Sequence, residues 1–128
     1  LMQETTLSAI GLITKVNEIL ASLDLKDGLL AFKAINAKKE AVYPIFETYC
    51  RNLAITILNL QTIFDMETFV LGGGISAQSI LIEEVNRQFD KVHHEIDFIG
   101  KIIKRPKIVA CHHNGTNLIG AAYFLKQG

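Results

Sequence analysis

Two stretches of this sequence decide its fold, FVLGGGISAQ at residues 69–78 and KIVACHHNGTNLIGAA at residues 107–122. Each begins as a short apolar strand, continues through a loop of small or polar residues and ends at the start of a helix. In α/β proteins, loops of this kind lie where ligands bind. Gly72, Gly73 and Gly74 have no Cβ that would keep a ligand away from the backbone. The first loop can therefore form part of a nucleotide site.

The pattern around these loops predicts strands over residues 68–71 and 107–110 and helices over about residues 77–91 and 116–126. Together these elements make a βαβα unit. Parallel strands joined through a helix normally share one sheet, with a right-handed crossover. Both loops would then open at the C-terminal edge of that sheet, and the two motifs would become neighbours.

The residues before the glycines predict helices. Apolar residues at helical spacing predict a first helix over residues 4–22. Asp27 and Gly28 interrupt the pattern before a short apolar segment that fits one or two helical turns. Asn36 is the next plausible cap.

A long helix is predicted over residues 38–65. Its apolar residues recur at steps of three and four, as expected for a core-facing helix: Val42, Phe46, Cys50, Leu53, Ile57, Leu60 and Phe64. Pro44 predicts either a kink or a helix that begins close to it, because proline lacks the N–H that an interior position needs. The helix is expected to end near Asp65.

Two strands are too few for a stable parallel sheet, so further strands are expected. Either residues 93–106 contain one, or the chain is a fragment whose sheet is completed by residues upstream of Leu1 or by a second copy. The start without an initiating Met favours the fragment. The prediction is one α/β domain or fragment over residues 1–128, helical over 1–65 and with the βαβα unit over 66–128.

Composition limits the class of protein. Of the 128 residues, 49% are hydrophobic, which is enough for a core. Thirteen basic and thirteen acidic residues cancel, so nucleic acid and anionic membranes are not expected partners. The apolar run at 53–64 is too short and too polar to span a bilayer.

Cys50 and Cys111 have no repeating spacing and no secretory signal precedes them, so we expect reduced thiols in a cytoplasmic protein.

The glycine loop allows two interpretations. Its backbone N–H groups could bind adenosine or phosphate oxygens, with Ser76 capping a helix whose N-terminus favours negative charge. Alternatively, it is a tight turn between a strand and a helix. The loop has neither the lysine of a GxxxxGK[ST] phosphate loop nor GxGxxG spacing.

The second loop, residues 111–117, contains four residues that could hydrogen-bond a ligand; the alternative is an Asn-Gly turn capped by Thr116. Adjacent His112 and His113 cannot easily face one metal, and no carboxylate or second cysteine lies nearby in sequence, so no metal site is predicted.

Other polar residues are expected to be solvated and receive no functional role. His93 and His94 come late in a polar segment. A basic cluster precedes the second strand and is interpreted as a solvated connection: Lys101, Lys104, Arg105 and Lys107.

FVLGGGIS, followed about forty residues later by HNGTNLIGAA, resembles the C-terminal part of the ROK family of repressors, open reading frames and kinases. The matching stretches are Val70 to Ser76 and His113 to Ala122, and the helical patterns before them agree as well. The resemblance implies an actin-like (hexokinase-like, ribonuclease H-like) ATPase fold. It also implies an adenosine site at Gly72, Gly73, Gly74 and Ser76, and ATP with Mg in the full-length protein.

The sequence departs from the family at the second loop, where the usual Gly-Asn-Asp-Ala reads His113-Asn114-Gly115-Thr116. Gly115 replaces the acidic residue, and Asn114 and Asn117 remain as candidate ligand contacts. The DxGGT phosphate loop, the catalytic Asp, the GTGxG loop and the zinc segment of family kinases are not in these residues. No catalytic residue is therefore assigned, and the isolated chain is expected to be inactive.

Two functions follow from the resemblance. The first is the nucleotide-binding portion of a kinase that phosphorylates a hexose or glucoside, with the sugar bound by the missing N-terminal part. The second is the sugar-sensing effector domain of a transcriptional repressor. Family members often dimerise, so a homodimer is expected in either case.

Overall fold

The computed structural model describes residues 2–4, 9–72, 78–95, 103–110 and 123–127. Within these residues the helices are α1 Ala9–Ile19, α2 Gly28–Asn36, α3 Tyr43–Phe64 and α4 Ser79–Glu95. The strands are β1 Met2–Glu4, β2 Thr68–Gly72, β3 Lys107–Ala110 and β4 Tyr123–Gln127. The chain therefore has an α/β fold that is rich in helix.

The strands form one mixed sheet in the order β1-β4-β2-β3. Strands β2 and β3 are parallel, with Thr68 opposite Lys107, which confirms the predicted parallel pair joined through a helix. Strand β4 is antiparallel both to β2 and to β1. Each strand that the sequence predicted is thus present, and β1 and β4 are two further strands of the sheet among the described residues.

The last helix was predicted over residues 116–126, and the prediction was wrong over residues 123–126, which belong to β4. Strands β1 and β4 were not predicted, and no strand lies in the described parts of residues 93–106, which are positions 93–95 and 103–106. Tyr123 and Phe124 favour a strand by their aromatic side chains. Their partners in β2 lie more than fifty positions earlier, at Gly72 and Leu71, and so outside any local sequence pattern.

Helix α3 confirms the main helical prediction. It begins at Tyr43 with Pro44 in its first turn, so the helix starts near the proline. Its last residue is Phe64, and the C-cap residue Asp65 has a left-handed backbone with φ 46°. Asn36 is not a cap for this helix, because it is the last residue of α2 and its side chain donates to the Phe32 carbonyl at 2.8 Å.

Helix α3 is also the centre of the core. Phe46, Cys50, Leu53 and Ile57 of the predicted stripe are fully buried, whereas Leu60 and Phe64 are only partly buried. Around them lie apolar side chains from α1, α2, α4 and the sheet: Leu12, Ile13, Val16, Phe32, Ile35, Phe69, Leu71, Leu81, Val85, Phe89 and Ile108. Each large side chain buried in this way contributes roughly 1.5–3 kcal/mol.

Two buried amides hold the connections between elements. Gln61 Nε2 donates to the carbonyls of Met66 and Lys104, both at 2.9 Å, and its Oε1 accepts from the Met66 N–H at 2.7 Å. The end of α3 is thereby tied to the start of β2 and to the segment before β3. Asn17 donates to the carbonyls of Leu25 and Asp27 and so fixes the connection from α1 to α2.

No helix in the described ranges combines the length and the apolar character needed to cross a membrane.

Candidate functional site

The two sequence motifs begin at the same edge of the sheet. Leu71, near the end of β2, is the register partner of Ala110, the last residue of β3. Strand β2 continues one residue further to Gly72, which lies opposite Tyr123 of β4. The segments that follow β2 and β3 therefore leave the sheet from neighbouring, parallel strand ends, where α/β folds bind ligands.

The predicted site residues fall mainly outside the part of the chain that the structure describes. Gly72 ends β2. Gly73, Gly74, Ser76, Asn114 and Asn117 lie outside the described residues, and so do Cys111, His112, His113 and Gly115. Ligand contacts by these residues stay predictions.

Helix α4 begins at Ser79, two residues later than predicted, and Leu81 N–H donates to the Gln78 carbonyl at 3.0 Å. Its first turn contains no acidic residue. The N-terminus of a helix carries a partial positive charge that favours an anion. In α4 no carboxylate of the first turn cancels that charge.

The start of α3 lies beside the start of α4. The Tyr43 hydroxyl donates to Glu84 Oε1 at 2.7 Å, and one turn further along both helices Arg87 Nη2 donates to Glu47 at 2.9 Å. Arg51 pairs with Glu95 at 3.1 Å, still further along. Because the contacts advance in the same direction on both helices, α3 and α4 run parallel to each other.

A buried carboxylate lies at the centre of this contact. Glu84 has a side chain that is only 4% exposed. Its Oε2 accepts hydrogen bonds from Arg87 Nη2 at 2.6 Å, Arg87 Nε at 3.0 Å and Gln88 Nε2 at 2.7 Å. With the Tyr43 bond to Oε1, both oxygens are satisfied, as a buried charge requires. We call Tyr43, Glu84, Arg87 and Gln88 the Glu84 cluster.

The protonation states of the Glu84 cluster follow from these bonds. Burial alone would raise the pKa of Glu84, but the hydrogen bonds from Arg87, Tyr43 and Gln88 outweigh it, so the pKa is lowered. Burial, together with the hydrogen bond to Glu84, raises the pKa of Tyr43 well above its ordinary value. The hydrogen bond to Glu84 raises the pKa of Arg87. At neutral pH the cluster is therefore an ionised carboxylate held by fixed donors, an arrangement suited to holding two helices together.

Two clefts open along α3 and α4. The smaller, of about 280 Å³, is lined by Lys38, Tyr43, Ile80, Glu83, Glu84 and Arg87. The larger, of about 620 Å³, is lined by Pro44, Glu47, Thr48, Arg51, Gln88, Lys91, His94 and Glu95. Cations and carboxylates alternate in both linings, and Arg51 and Arg87 are paired with Glu95 and Glu47. Neither cleft presents charge of one sign.

Strand β3 is joined to α4 by a second polar group. Asn86 Nδ2 donates to the Ile108 carbonyl at 3.1 Å, and its Oδ1 accepts from Arg105 Nη2 at 3.0 Å. Arg105 also pairs with Asp90 at 2.8 Å and lies over the Phe89 ring, 4.7 Å from its centroid. The distance between α4 and the edge of the sheet is thereby fixed.

Two residues expected to be solvated are therefore structural. Arg105 is one of them, because a planar guanidinium can pair with a carboxylate and stack on a ring at the same time. His93 is the other, since its Nε2 lies 3.0 Å from the Ile103 carbonyl and its ring stacks on Phe89. His94, Lys104 and Lys107 are exposed, as predicted.

The sequence did carry a signal for the Glu84 cluster. The buried face of α4 repeats at steps of three and four: Leu81, Glu84, Val85, Gln88, Phe89 and Val92. A glutamate and a glutamine at core positions of an apolar stripe predict buried hydrogen bonds, because an unpaired buried polar group is costly. The partner Tyr43 lies on another helix and has no such local signal.

Among the described residues there is no group of three or more His, Cys, Asp and Glu side chains that could hold a metal ion. Cys50 is buried, and burial raises its pKa well above that of an ordinary thiol. A protonated thiol of this kind is a core residue and a poor nucleophile.

Comparison with known proteins agrees with the two motifs. The model of the ROK family matches residues 3–128, which is nearly the whole chain. No curated protein and no solved structure matches it. Because the family match covers far more than half of the chain, and includes both strands and the loops that follow them, this protein belongs to the ROK family.

Proposed function

We propose that the chain is the nucleotide-binding C-terminal portion of a ROK-type sugar kinase with an actin-like ATPase fold. The full-length protein would transfer the γ-phosphoryl group of ATP to a hydroxyl of a hexose or glucoside. The observation that carries the proposal is the pairing of Leu71 in β2 with Ala110 in β3. Because these strands are parallel neighbours, the glycine segment and the HNGTN segment both follow strand ends at the same edge of the sheet.

The chemistry of these segments suits the adenosine end of a nucleotide. Glycines let a base or ribose approach backbone N–H groups, and the start of α4 has no acidic residue to repel a phosphate. Asn114 and Asn117 would add amide donors and acceptors from the neighbouring strand end. Gly72, Gly73, Gly74 and Ser76 would hold the other side of the nucleotide.

The reacting end of ATP needs residues that this chain does not supply. ATP provides the phosphoryl group, and Mg would be held by its phosphates together with carboxylates outside these residues. The residues that bind the sugar and the residue that acts as general base would also lie outside these 128 residues. We therefore expect the 128-residue chain alone to transfer no phosphate.

The test is a calorimetric titration of the full-length protein with ATP, repeated with Gly73→Val. We expect the added isopropyl group to weaken ATP binding about tenfold or more, because it would block approach to the backbone. The matched control is Gly11→Ala, since a Cβ at Gly11 meets no atom within 4 Å. Equal ATP affinity in wild type and Gly73→Val would show that the adenosine site lies elsewhere.

The alternative is a sugar-sensing effector domain of a ROK repressor. Gly115 favours it, because the family's acidic residue at that position has been lost. A winged helix-turn-helix upstream of residue 1 would support a repressor, and a DxGGT loop there would support a kinase. ATP binding without phosphorylation of any sugar in a panel would favour the repressor as well.

A further inference from the structure

Glu84 is hard to explain by stability alone. It is the one charged side chain buried in the core among the described residues. Replacing a buried ion pair by well-packed apolar residues is often neutral or stabilising. An apolar residue at position 84 would also fit the stripe that Leu81, Val85 and Phe89 form. The role of the carboxylate is therefore to fix the position of α4.

Hydrogen bonds fix a helix in a way that apolar packing does not. Burial of apolar surface is non-directional and allows small shifts along a helix axis. Two directional bonds cross between the helices: Tyr43 donates to Glu84 at 2.7 Å, and Arg87, which Glu84 also holds, donates to Glu47 at 2.9 Å. These bonds fix the register of α4 against α3.

The Glu84 cluster acts at the end of the helices where the candidate nucleotide site lies. Tyr43 is the first residue of α3, and Glu84 is five positions after Ser79, the first residue of α4. The segment 73–77 connects Gly72, held in β2 opposite Tyr123, to Gln78, whose carbonyl accepts from Leu81. One end of this short segment is thus fixed by the sheet and the other by α4.

We propose that Glu84 is a positioning residue of the nucleotide site: by tying the first turns of α4 to the start of α3, it sets the separation between the two ends of the glycine segment. The inference rests on the proposed nucleotide-binding function. The described ends of this segment, Gly72 and Gln78, are six positions apart, so a shift of α4 changes the distance that residues 73–77 have to span. Supporting residues of this kind typically change affinity about tenfold or more when they are replaced.

The experiment uses the full-length protein and two substitutions, Tyr43→Phe and Glu84→Gln. Tyr43→Phe removes one hydroxyl and keeps the ring that packs on Phe46 at 5.6 Å, so it remains folded even if Glu84→Gln does not. ATP affinity is measured by calorimetry and stability by urea unfolding. We expect ATP to bind about tenfold more weakly to each variant.

The matched control is Gln61→Leu at the far end of α3. Its side chain also makes buried hydrogen bonds, but to Met66 and Lys104, which precede β2 and β3. We expect this variant to lose at least as much stability as Tyr43→Phe while its ATP affinity stays within about twofold of wild type.

Three results would overturn the inference, and they are distinguishable. If Tyr43→Phe binds ATP as tightly as wild type while Gly73→Val does not, the nucleotide site stands and the positioning role is wrong. If Gln61→Leu weakens ATP binding as much as Tyr43→Phe, the effect is general loosening of the fold. If wild type does not bind ATP, the proposed function itself fails.

Discussion

Gln61 and Glu84 show what single buried polar residues contribute to this protein. Gln61 donates to two carbonyls and accepts from one N–H, so it satisfies backbone groups between elements that no helix or strand would satisfy. Glu84 instead satisfies side chains of two helices. Gln61 therefore stabilises the connection from α3 to β2, and Glu84 stabilises the alignment of α3 with α4.

Glu84 also predicts how stability depends on pH. Its pKa is lowered in the folded protein, so the unfolded chain binds the proton more readily. The stability that the carboxylate provides is therefore fully present above the ordinary glutamate pKa of about 4.3 and is lost as pH falls through the folded pKa. We expect Glu84→Gln to cost roughly 1.5–3 kcal/mol at pH 7, because the buried carboxylate that accepts from Tyr43, Arg87 and Gln88 is lost.

The measurement is urea unfolding of wild type and Glu84→Gln between pH 7 and pH 3. The difference between their free energies of unfolding should shrink as the pH is lowered. Glu83→Gln is the control, since Glu83 is the exposed neighbour on the same helix and lies outside the Glu84 cluster. A constant difference across this range would mean that the Glu84 carboxylate is not the titrating group.

At the scale of elements, two helices are followed by a residue other than glycine whose backbone is left-handed. Ala21 after α1 and Lys38 after α2 both have a left-handed backbone, with φ 55° and 54°. Around Ala21, Ser22 N–H donates to the Asn17 carbonyl at 3.0 Å, the bond of a Schellman motif. Glycine usually occupies this position, because a Cβ costs about 1–2 kcal/mol in the left-handed region.

We expect Ala21→Gly to stabilise the protein by roughly 0.5–1 kcal/mol and to raise Tm by about 2–4 °C, after the entropy of the unfolded glycine is subtracted. Ala37→Gly is the matched control, because Ala37 is also exposed but has φ −75°, which alanine adopts without strain. It should destabilise slightly. If both variants lowered Tm in thermal unfolding, the left-handed backbone at Ala21 would not be destabilising the protein.

The elements that could be predicted from the sequence are those whose structure is determined by residues close together in the chain. Helix α3, β2 and β3 follow from periodicity and from Pro44, and their observed limits are close to the predicted ones. Strand β4 was missed because residues 123–127 become a strand only through pairing with β2 and β1. The Glu84 cluster was missed for a similar reason, since the need of Glu84 for partners is visible in α4 but Tyr43 is forty-one positions earlier.

At the scale of the whole molecule, exposed large apolar side chains are concentrated in one stretch of the chain. Of the exposed large hydrophobic side chains in the described part of the chain, five lie between positions 19 and 30: Ile19, Leu23, Leu25, Leu29 and Leu30. Leu23 is fully exposed and Leu29 is 83% exposed. Contiguous exposed apolar surface marks interaction sites. The homodimer stays a prediction, and we expect the α1–α2 surface formed by these five side chains to be the contact between the two copies.

We expect the double variant Leu23→Lys with Leu29→Lys to weaken self-association in sedimentation velocity, because four added charges would be brought together at a two-fold interface. Stability of the single chain should change little, as neither side chain is buried. Ile63→Lys is the control, since Ile63 is 72% exposed but lies near the end of α3. An unchanged dimer in the double variant would place the interface on another face.

The pairing of β1 with β4 has a consequence for the order of folding. Glu4 lies opposite Tyr123, so this contact joins positions separated by almost the whole sequence. Strands β2 and β3, by contrast, meet through one helix. Closing a long loop costs more entropy and slows folding. We therefore expect the β2–β3 pair to form before the β1–β4 pair during folding.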